Sequence, residues 1–221
     1  YLEQLSRNLG SDIQAQMTLN NVEKRSHQIK EAAIPDIQNG VAEERAQTLL
    51  ELLTPEERVG QLFLVTFQGK DTSSESQIYD LIANHYLGGV VLSAENDNFS
   101  SDGQTLIDAQ TLTNQLQDIR FLSSQEERVD PASGEVYQPS FIPLFIGISQ
   151  EGDGPPYDQI FSELTPLPSQ LAIGATWNLE LARQIGEIAG KELSALGFNL
   201  LFGPSLDVSD SPDPDGGGDL N

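Results

Sequence analysis

Four short apolar runs break an otherwise polar chain of 221 residues, and a stretch of helical periodicity separates each run from the next. The pattern predicts strands near 62–67, 89–93, 143–148 and 199–203. Ser74 to Tyr86 reads as the helix between the first two, stopped by Gly88-Gly89. Thr105 to Leu122 follows the second strand, with Leu106, Ala109, Leu112, Leu116, Ile119 and Leu122 recurring as one helical face. Gln125 to Ser140 is a polar insertion before the third strand, and Leu179 to Leu196 is an amphipathic helix before the fourth. Strands that alternate with helices of this length need right-handed crossovers, so the expected class is α/β with parallel strands adjacent in chain order. Four strands are too few to close an eight-stranded barrel.

Upstream of the first strand, Ala42 to Leu53 is helix-like and Thr54-Pro55-Glu56-Glu57 reads as a second helix start. Thr54 is placed to cap, Pro55 suits the first helical position, and Glu57 closes a capping box. Residues 1–40 are different in kind. Leu2, Leu5, Leu9 and Ile13 fall at helical spacing, a polar stretch follows, and Pro35 and Gly40 punctuate it. The chain therefore divides into an N-terminal linker or helical extension, 1–40, and a folded unit, 41–221. The first residue is Tyr1 rather than Met, and the last eleven residues are a turn-rich loop. The expectation is a processed or incomplete product.

Charge and composition remove several classes. The formal net charge is −23, with only 11 Lys and Arg in the whole chain. Residues 1–40 hold four basic and five acidic side chains, so −22 sits on the remaining 181 residues. Nucleic-acid binding needs clustered cations, and this surface repels phosphates. There is no cysteine, which excludes disulfides, thiolate metal sites and a cysteine nucleophile. No run approaches the roughly 18 apolar residues of a membrane span.

The candidate chemistry lies where strands end. The third strand runs directly into Ser149-Gln150-Glu151-Gly152-Asp153-Gly154, and the fourth ends in Leu206-Asp207-Val208. In barrels of alternating strands and helices the carboxyl edge of the sheet carries the site. Ser149, Glu151, Asp153 and Asp207 are thus the candidate substrate-binding residues. Ionised carboxylates are acceptors only, so a ligand rich in hydroxyl donors would suit them. The same residues also fit a purely structural role, with Glu151 buttressing loops, and Asp153 and Asp207 fixing turns. His85 sits in a helix's last turn, where an imidazole suits the dipole, and His27 lies in the polar N-terminal segment. Neither has other ligands near it in sequence, so no metal site is expected. Gly216-Gly217-Gly218 lacks the lysine of a phosphate loop. Trp177 precedes a helix and reads either as its packing anchor or as a ring on which a ligand stacks.

Six landmarks in order give these pieces a common meaning. They are Glu57-Arg58-Val59-Gly60-Gln61-Leu62, Gly88-Gly89-Val90-Val91-Leu92, and Ile142-Pro143-Leu144 running on to Gln150-Glu151-Gly152. After these come Leu167-Pro168 with Ala172-Ile173-Gly174-Ala175-Thr176, then Glu192-Leu193-Ser194-Ala195-Leu196-Gly197-Phe198-Asn199, and Gly203-Pro204-Ser205-Leu206-Asp207-Val208. From Leu53 to Val208 this arrangement resembles the N-terminal domain of glycoside hydrolase family 3. The resemblance implies the N-terminal half of a TIM-like (β/α)8 barrel. It also implies a retaining hydrolase of β-linked sugars, either a β-N-acetylhexosaminide or a β-glucoside. Such enzymes use a nucleophile and an acid/base about 5 Å apart. In the family the nucleophilic Asp, a Lys-His motif and the acid/base all come later than the positions this chain covers. No catalytic residue is therefore assigned here, and no cofactor is implied.

The chain also departs from the family's pattern. Ser149 stands where relatives commonly carry an Asp that grips the innermost sugar. The Gly-Arg that follows in the family is replaced by Asp153-Gly154-Pro155-Pro156-Tyr157, and no Lys or Arg occurs between Arg128 and Arg183. A charge-assisted hydrogen bond is about twice as strong as a neutral one. A non-catalytic carbohydrate-binding or scaffold protein on a degenerate copy of the domain is thus the alternative reading. A carbohydrate is the expected partner, with no nucleic acid and no membrane span. An acidic, cysteine-free hydrolase behind a linker leans to an extracytoplasmic or secreted location.

Overall fold

The computed structural model describes residues 42–100, 103–130, 133–155 and 157–205. The expected N-terminal extension, 1–40, and the candidate Asp207 lie outside the described residues. Among the described residues the elements are α1 (Ala42–Leu52), α2 (Pro55–Gly60), β1 (Leu64–Val65), α3 (Gln77–Asn84), β2 (Gly89–Val91), α4 (Thr105–Ser124), β3 (Arg128–Val129), β4 (Val136–Tyr137), β5 (Phe145–Ser149), α5 (Gln170–Ala175), α6 (Leu179–Ala195) and β6 (Leu200–Phe202).

The main sheet has the order β1-β2-β5-β6, and every pairing in it is parallel. This is the predicted arrangement. Successive residues of a strand point to opposite faces, so the register sorts the side chains into two sets. Val65, Val90 and Ile146 share one face, continued by Leu92 and Ile148. There they pack beneath Ile78 and Ile82 of α3 and Ala109, Leu112 and Leu116 of α4, forming the core. Leu64, Phe145 and Phe202 belong to the other face and remain 46%, 54% and 43% exposed. A doubly wound sheet reverses its strand order and covers both faces. Strands in unreversed order, with their packed helices on one face, are the construction of a (β/α)8 barrel.

The element starts obey local chemistry. Thr54 caps α2 and forms the expected capping box with Glu57, with Pro55 at the first helical position. Ser76 caps α3 through Tyr79 N–H, which moves that helix's start three residues later than the apolar pattern indicated. Asn178 caps α6, its Oδ1 accepting from Glu180 N–H and Leu181 N–H. His85 is the C-cap of α3, as its position implied.

Three features differ from the sequence reading. The first strand shortens to Leu64–Val65, because the amides of Leu62 and Phe63 are spent on turn bonds to Val59 and Gly60 carbonyls. The polar insertion holds an antiparallel hairpin, β3–β4, closed by Asp130 and Gly134. Its strands are two residues each, too short for a period-two signal. The residues before α6 form α5, capped by Ser169.

A set of buried polar side chains fixes where β5 begins. Glu57, only 1% exposed, accepts from Thr54 N–H and Ser140 N–H, both at 2.8 Å. Arg120 is fully buried and donates to Ser140 O at 2.9 Å and Ile142 O at 3.0 Å. Burial pushes the Arg120 guanidinium down from its ordinary value, and the Glu57 carboxylate opposes that shift. Gln117 then brackets Leu144, accepting from its N–H at 3.1 Å and donating to its carbonyl at 2.9 Å. Gly60 completes the junction, since a Cβ there would lie 2.1 Å from the His85 carbonyl oxygen. Gln61 donates to the next carbonyl, that of Tyr86, at 2.8 Å. The Glu57-Arg58-Val59-Gly60-Gln61 motif is thus a packing device under the amino edge of the sheet.

Glu57→Ala removes the shared acceptor of two half-buried amides, each worth about 1–3 kcal/mol when left unpaired. The expected loss is about 2–4 kcal/mol of unfolding free energy in urea titrations, with Glu57→Gln losing less because its amide oxygen still accepts.

Candidate functional site

The carboxyl edge of the sheet is a row of loops tied to one another by side chains. Asn98, fully buried, donates to Phe67 O at 3.1 Å and Gly69 O at 2.7 Å and accepts from Ser93 N–H at 2.9 Å. It therefore joins the loop after β1 to the loop after β2. Gln159 Oε1 accepts from Ala94 N–H at 3.0 Å, joining the β2 loop to the β5 loop. Asp108 accepts from Lys70 at 2.9 Å and from both the amide and the hydroxyl of Ser100. The Ser100 hydroxyl, and after it Lys70, hold the Asp108 carboxyl below the ordinary carboxylate value.

The loop after β5 is built around a residue that the sequence reading passed over. Asp158 is buried, and its Oδ1 accepts from Glu151 N–H at 2.6 Å and Gly152 N–H at 2.8 Å. Its Oδ2 accepts from Gly154 N–H at 2.9 Å. Gln150 grips the far side of the same loop through the amides of Gln159 and Ile160 and the Ile160 carbonyl. No local signal marks it: an Asx turn captures backbone two residues onward, whereas Asp158 reaches back four to seven residues.

The predicted site residues take different places on this edge. Ser149 ends β5 opposite Phe202, half-buried, with its hydroxyl donating to Tyr157 O at 2.7 Å. Its oxygen lone pairs remain available to a donor. Glu151 is half-buried and accepts from Gln170 Nε2 at 2.5 Å and Ser205 N–H at 3.2 Å. Asp153 is exposed on the loop. The structure thus brings Ser149 and Glu151 to the same edge as the end of β6. Gly203 makes room there: its φ is +141°, and a Cβ would meet Glu151 Cγ at 2.9 Å.

The aromatic side chain beside Ser149 is Phe202, not Trp177. Trp177 is 95% exposed between α5 and α6, so it anchors no packing. Phe202 shares the open face with Ser149 by register, and its ring lies over Gly147, where a Cβ would come within 2.7 Å of Cε2. Apolar floors with a few polar groups at the rim are the common construction of small-molecule sites. Two concavities lie elsewhere. One, of about 320 Å³, sits between the loop at 150–167 and α6. Its carboxylates already accept from protein donors, Glu192 from Thr165 and Glu163 from Leu106 N–H. The other, about 1020 Å³, lies at the amino edge among Val59, Phe63, Leu87 and Tyr137. Among the described residues no group of three or more His, Asp or Glu could hold a metal ion. No helix among them is long and apolar enough to cross a membrane.

Sequence comparison agrees with this architecture. The profile of the glycosyl hydrolase family 3 N terminal domain matches residues 54–218. The chain belongs to that family. It is 31% identical to β-hexosaminidase A of Pseudoalteromonas piscicida over 144 residues, covering 64% of this chain and 20% of that protein. It is 27% identical to the periplasmic β-glucosidase of Salmonella typhimurium over 164 residues, covering 74% and 16%. A solved glycoside hydrolase family 3 β-N-acetylglucosaminidase from Paenibacillus sp. superposes with a TM-score of 0.55 at 29% identity, over 71% of this chain and 25% of that one. The chain spans a fifth or less of the length of these two curated relatives.

Because the folded value of Asp108 lies below the ordinary carboxylate value, its contribution is complete above the unfolded carboxylate range. It is lost as pH falls through the folded value. Asp108→Asn should lower the urea midpoint at pH 7 and flatten the fall in stability between neutral and acidic pH. Equal pH profiles for the two proteins would show that Asp108 is not part of the acid limb.

Proposed function

We propose that this chain supplies one wall of the sugar pocket of a retaining β-glycoside hydrolase acting on a β-N-acetylhexosaminide or a β-glucoside. The observation that carries the reading is the pairing of Ser149 with Phe202 on the open face, at the carboxyl edge, in a family 3 domain. The Phe202 ring offers an apolar surface for the C–H face of a pyranose. Ser149 accepts from a ring hydroxyl while donating to Tyr157 O. Asp153, exposed on the β5 loop, extends the wall. The two curated relatives, one a hexosaminidase and one a glucosidase, support both substrate classes. The word periplasmic in the second name supports an extracytoplasmic location.

The retaining chemistry needs a nucleophile and an acid/base about 5–5.5 Å apart across the glycosidic bond. Among the described residues the carboxylates of the β5 loop do not form such a pair, since Asp158 and Glu151 accept from protein donors. The wall's task is binding and orientation, with the reacting carboxylates supplied by the region that follows in family members. The second reading, a carbohydrate-binding protein without hydrolysis, is favoured by one observation: a neutral hydroxyl, Ser149, sits where a charged grip would stand.

The 221-residue chain alone should hydrolyse neither aryl β-glucosides nor aryl β-N-acetylglucosaminides above background. It should bind the monosaccharides weakly, with NMR shifts at Ser149 and Phe202. Phe202→Ala should weaken that binding roughly fivefold, about 1 kcal/mol. A polypeptide carrying the following region should turn over one substrate with retention of configuration. Turnover by the chain alone that disappears in Glu151→Ala or Asp207→Ala would place the catalytic carboxylates here and overturn the assignment.

A further inference from the structure

The contacts of Glu151 run to protein groups. Its Oε2 is shared by two protein donors, the Gln170 side chain at 2.5 Å and the Ser205 amide at 3.2 Å. Those donors belong to different parts of the chain, Gln170 to the first turn of α5 and Ser205 to the loop after β6. Its own amide is meanwhile fixed on Asp158 at 2.6 Å. Gly203 leaves the space into which the side chain passes, with no Cβ to meet its Cγ, Cδ and Oε1 at 2.9 to 3.1 Å. The side chain therefore ties the loop after β5 to α5 and to the loop after β6.

We infer that Glu151 is a positioning residue, a strut that sets the loop after β6 against the loop after β5 and so shapes the pocket wall without touching substrate. The inference rests on the reading of this edge as a sugar site only for what the wall does. The strut itself is a statement about protein contacts. A carboxylate suits the place because it accepts along several lone-pair directions at once and donates nothing. A glutamine at 151 keeps one accepting oxygen for Ser205, whereas an alanine keeps none.

The test is amide hydrogen exchange at Ser205 in the full 221-residue chain. The Ile146 amide, bonded to Asn199 Oδ1 at 2.7 Å, serves as the core reference. Glu151→Ala should speed Ser205 exchange about tenfold or more, as the loss of a charge-assisted bond implies. Glu151→Gln should stay within about threefold of wild type. Gln170→Glu alone sets two carboxylates against each other and should behave like Glu151→Ala. The exchanged pair, E151Q/Q170E, puts amide and carboxylate back in contact and should restore protection. If Glu151→Ala also loses Ile146 protection, the single and exchanged Gln170 variants decide the matter. Unchanged Ser205 exchange in Glu151→Ala or Gln170→Glu, with the Ile146 amide still protected, overturns the strut. Titration of the same proteins with N-acetylglucosamine and with glucose separates the two ideas. Lost sugar binding in Glu151→Gln with Ser205 still protected assigns the carboxylate to substrate and overturns the inference. Absence of sugar binding in every protein, with exchange as expected, upholds the strut and counts against the sugar pocket.

Discussion

The arrangement of this domain depends on how the backbone is held as it enters β5. Five polar groups between Ser140 and Leu144 are taken by side chains from neighbouring elements. Glu57 takes the Ser140 amide, Arg120 takes the Ser140 and Ile142 carbonyls, and Gln117 takes both groups of Leu144. Asn199 continues the pattern past the start of the strand, donating to the Leu144 carbonyl and accepting from the Ile146 amide. A shift of β5 by one residue would break every one of these bonds and would turn Ile146 and Ile148 out of the core. The register of the central strand is thereby set from its amino end, and Ser149 and Glu151 are delivered to the opposite edge.

That delivery separates stability from chemistry. At the amino edge Glu57, Arg120 and Gln117 are spent on the backbone that enters β5. At the carboxyl edge side chains also bind backbone, but there Asn98, Gln159 and Glu151 join one loop to the next, while Asp158 closes the β5 loop on itself. A wall built this way is preorganised, so a ligand does not have to order it on binding. Beneath it lies the open face with Phe145 and Phe202, the interior surface of an unclosed (β/α)8 arrangement. On the proposed reading this is the side on which a sugar would sit, with Ser149 as its neutral polar contact.

Several family landmarks therefore have structural causes. Gly60 and Gln61 let α2 close on the His85 and Tyr86 carbonyls. Gly197 takes φ +93° against Thr113, and the Asn199 side chain fills ladder positions between β5 and β6. The Gly203 position clears the Glu151 side chain. These residues hold the shape on which the site depends without supplying its chemistry.

The sequence by itself determined the class and the strand order. Apolar runs near 62–67, 89–93, 143–148 and 199–203 are long enough to show their character, and helices between them force parallel crossovers. It also determined the α2 capping box, because caps are local and involve residues three apart. The β3–β4 hairpin escaped because two-residue strands carry no readable period. At the site, the sequence placed Ser149 and Glu151 at the end of a strand but left open whether Glu151 faces a ligand or a loop. Only the tertiary structure decided that its carboxylate meets Gln170 and Ser205, since those partners lie 19 and 54 residues away. The same holds for Phe202, whose place beside Ser149 follows from register, and for Trp177, whose exposure no local pattern signals. Periodicity and caps are properties of neighbouring residues. Who accepts from whom across loops is set by packing of the whole sheet, and for that reason it appears only in three dimensions.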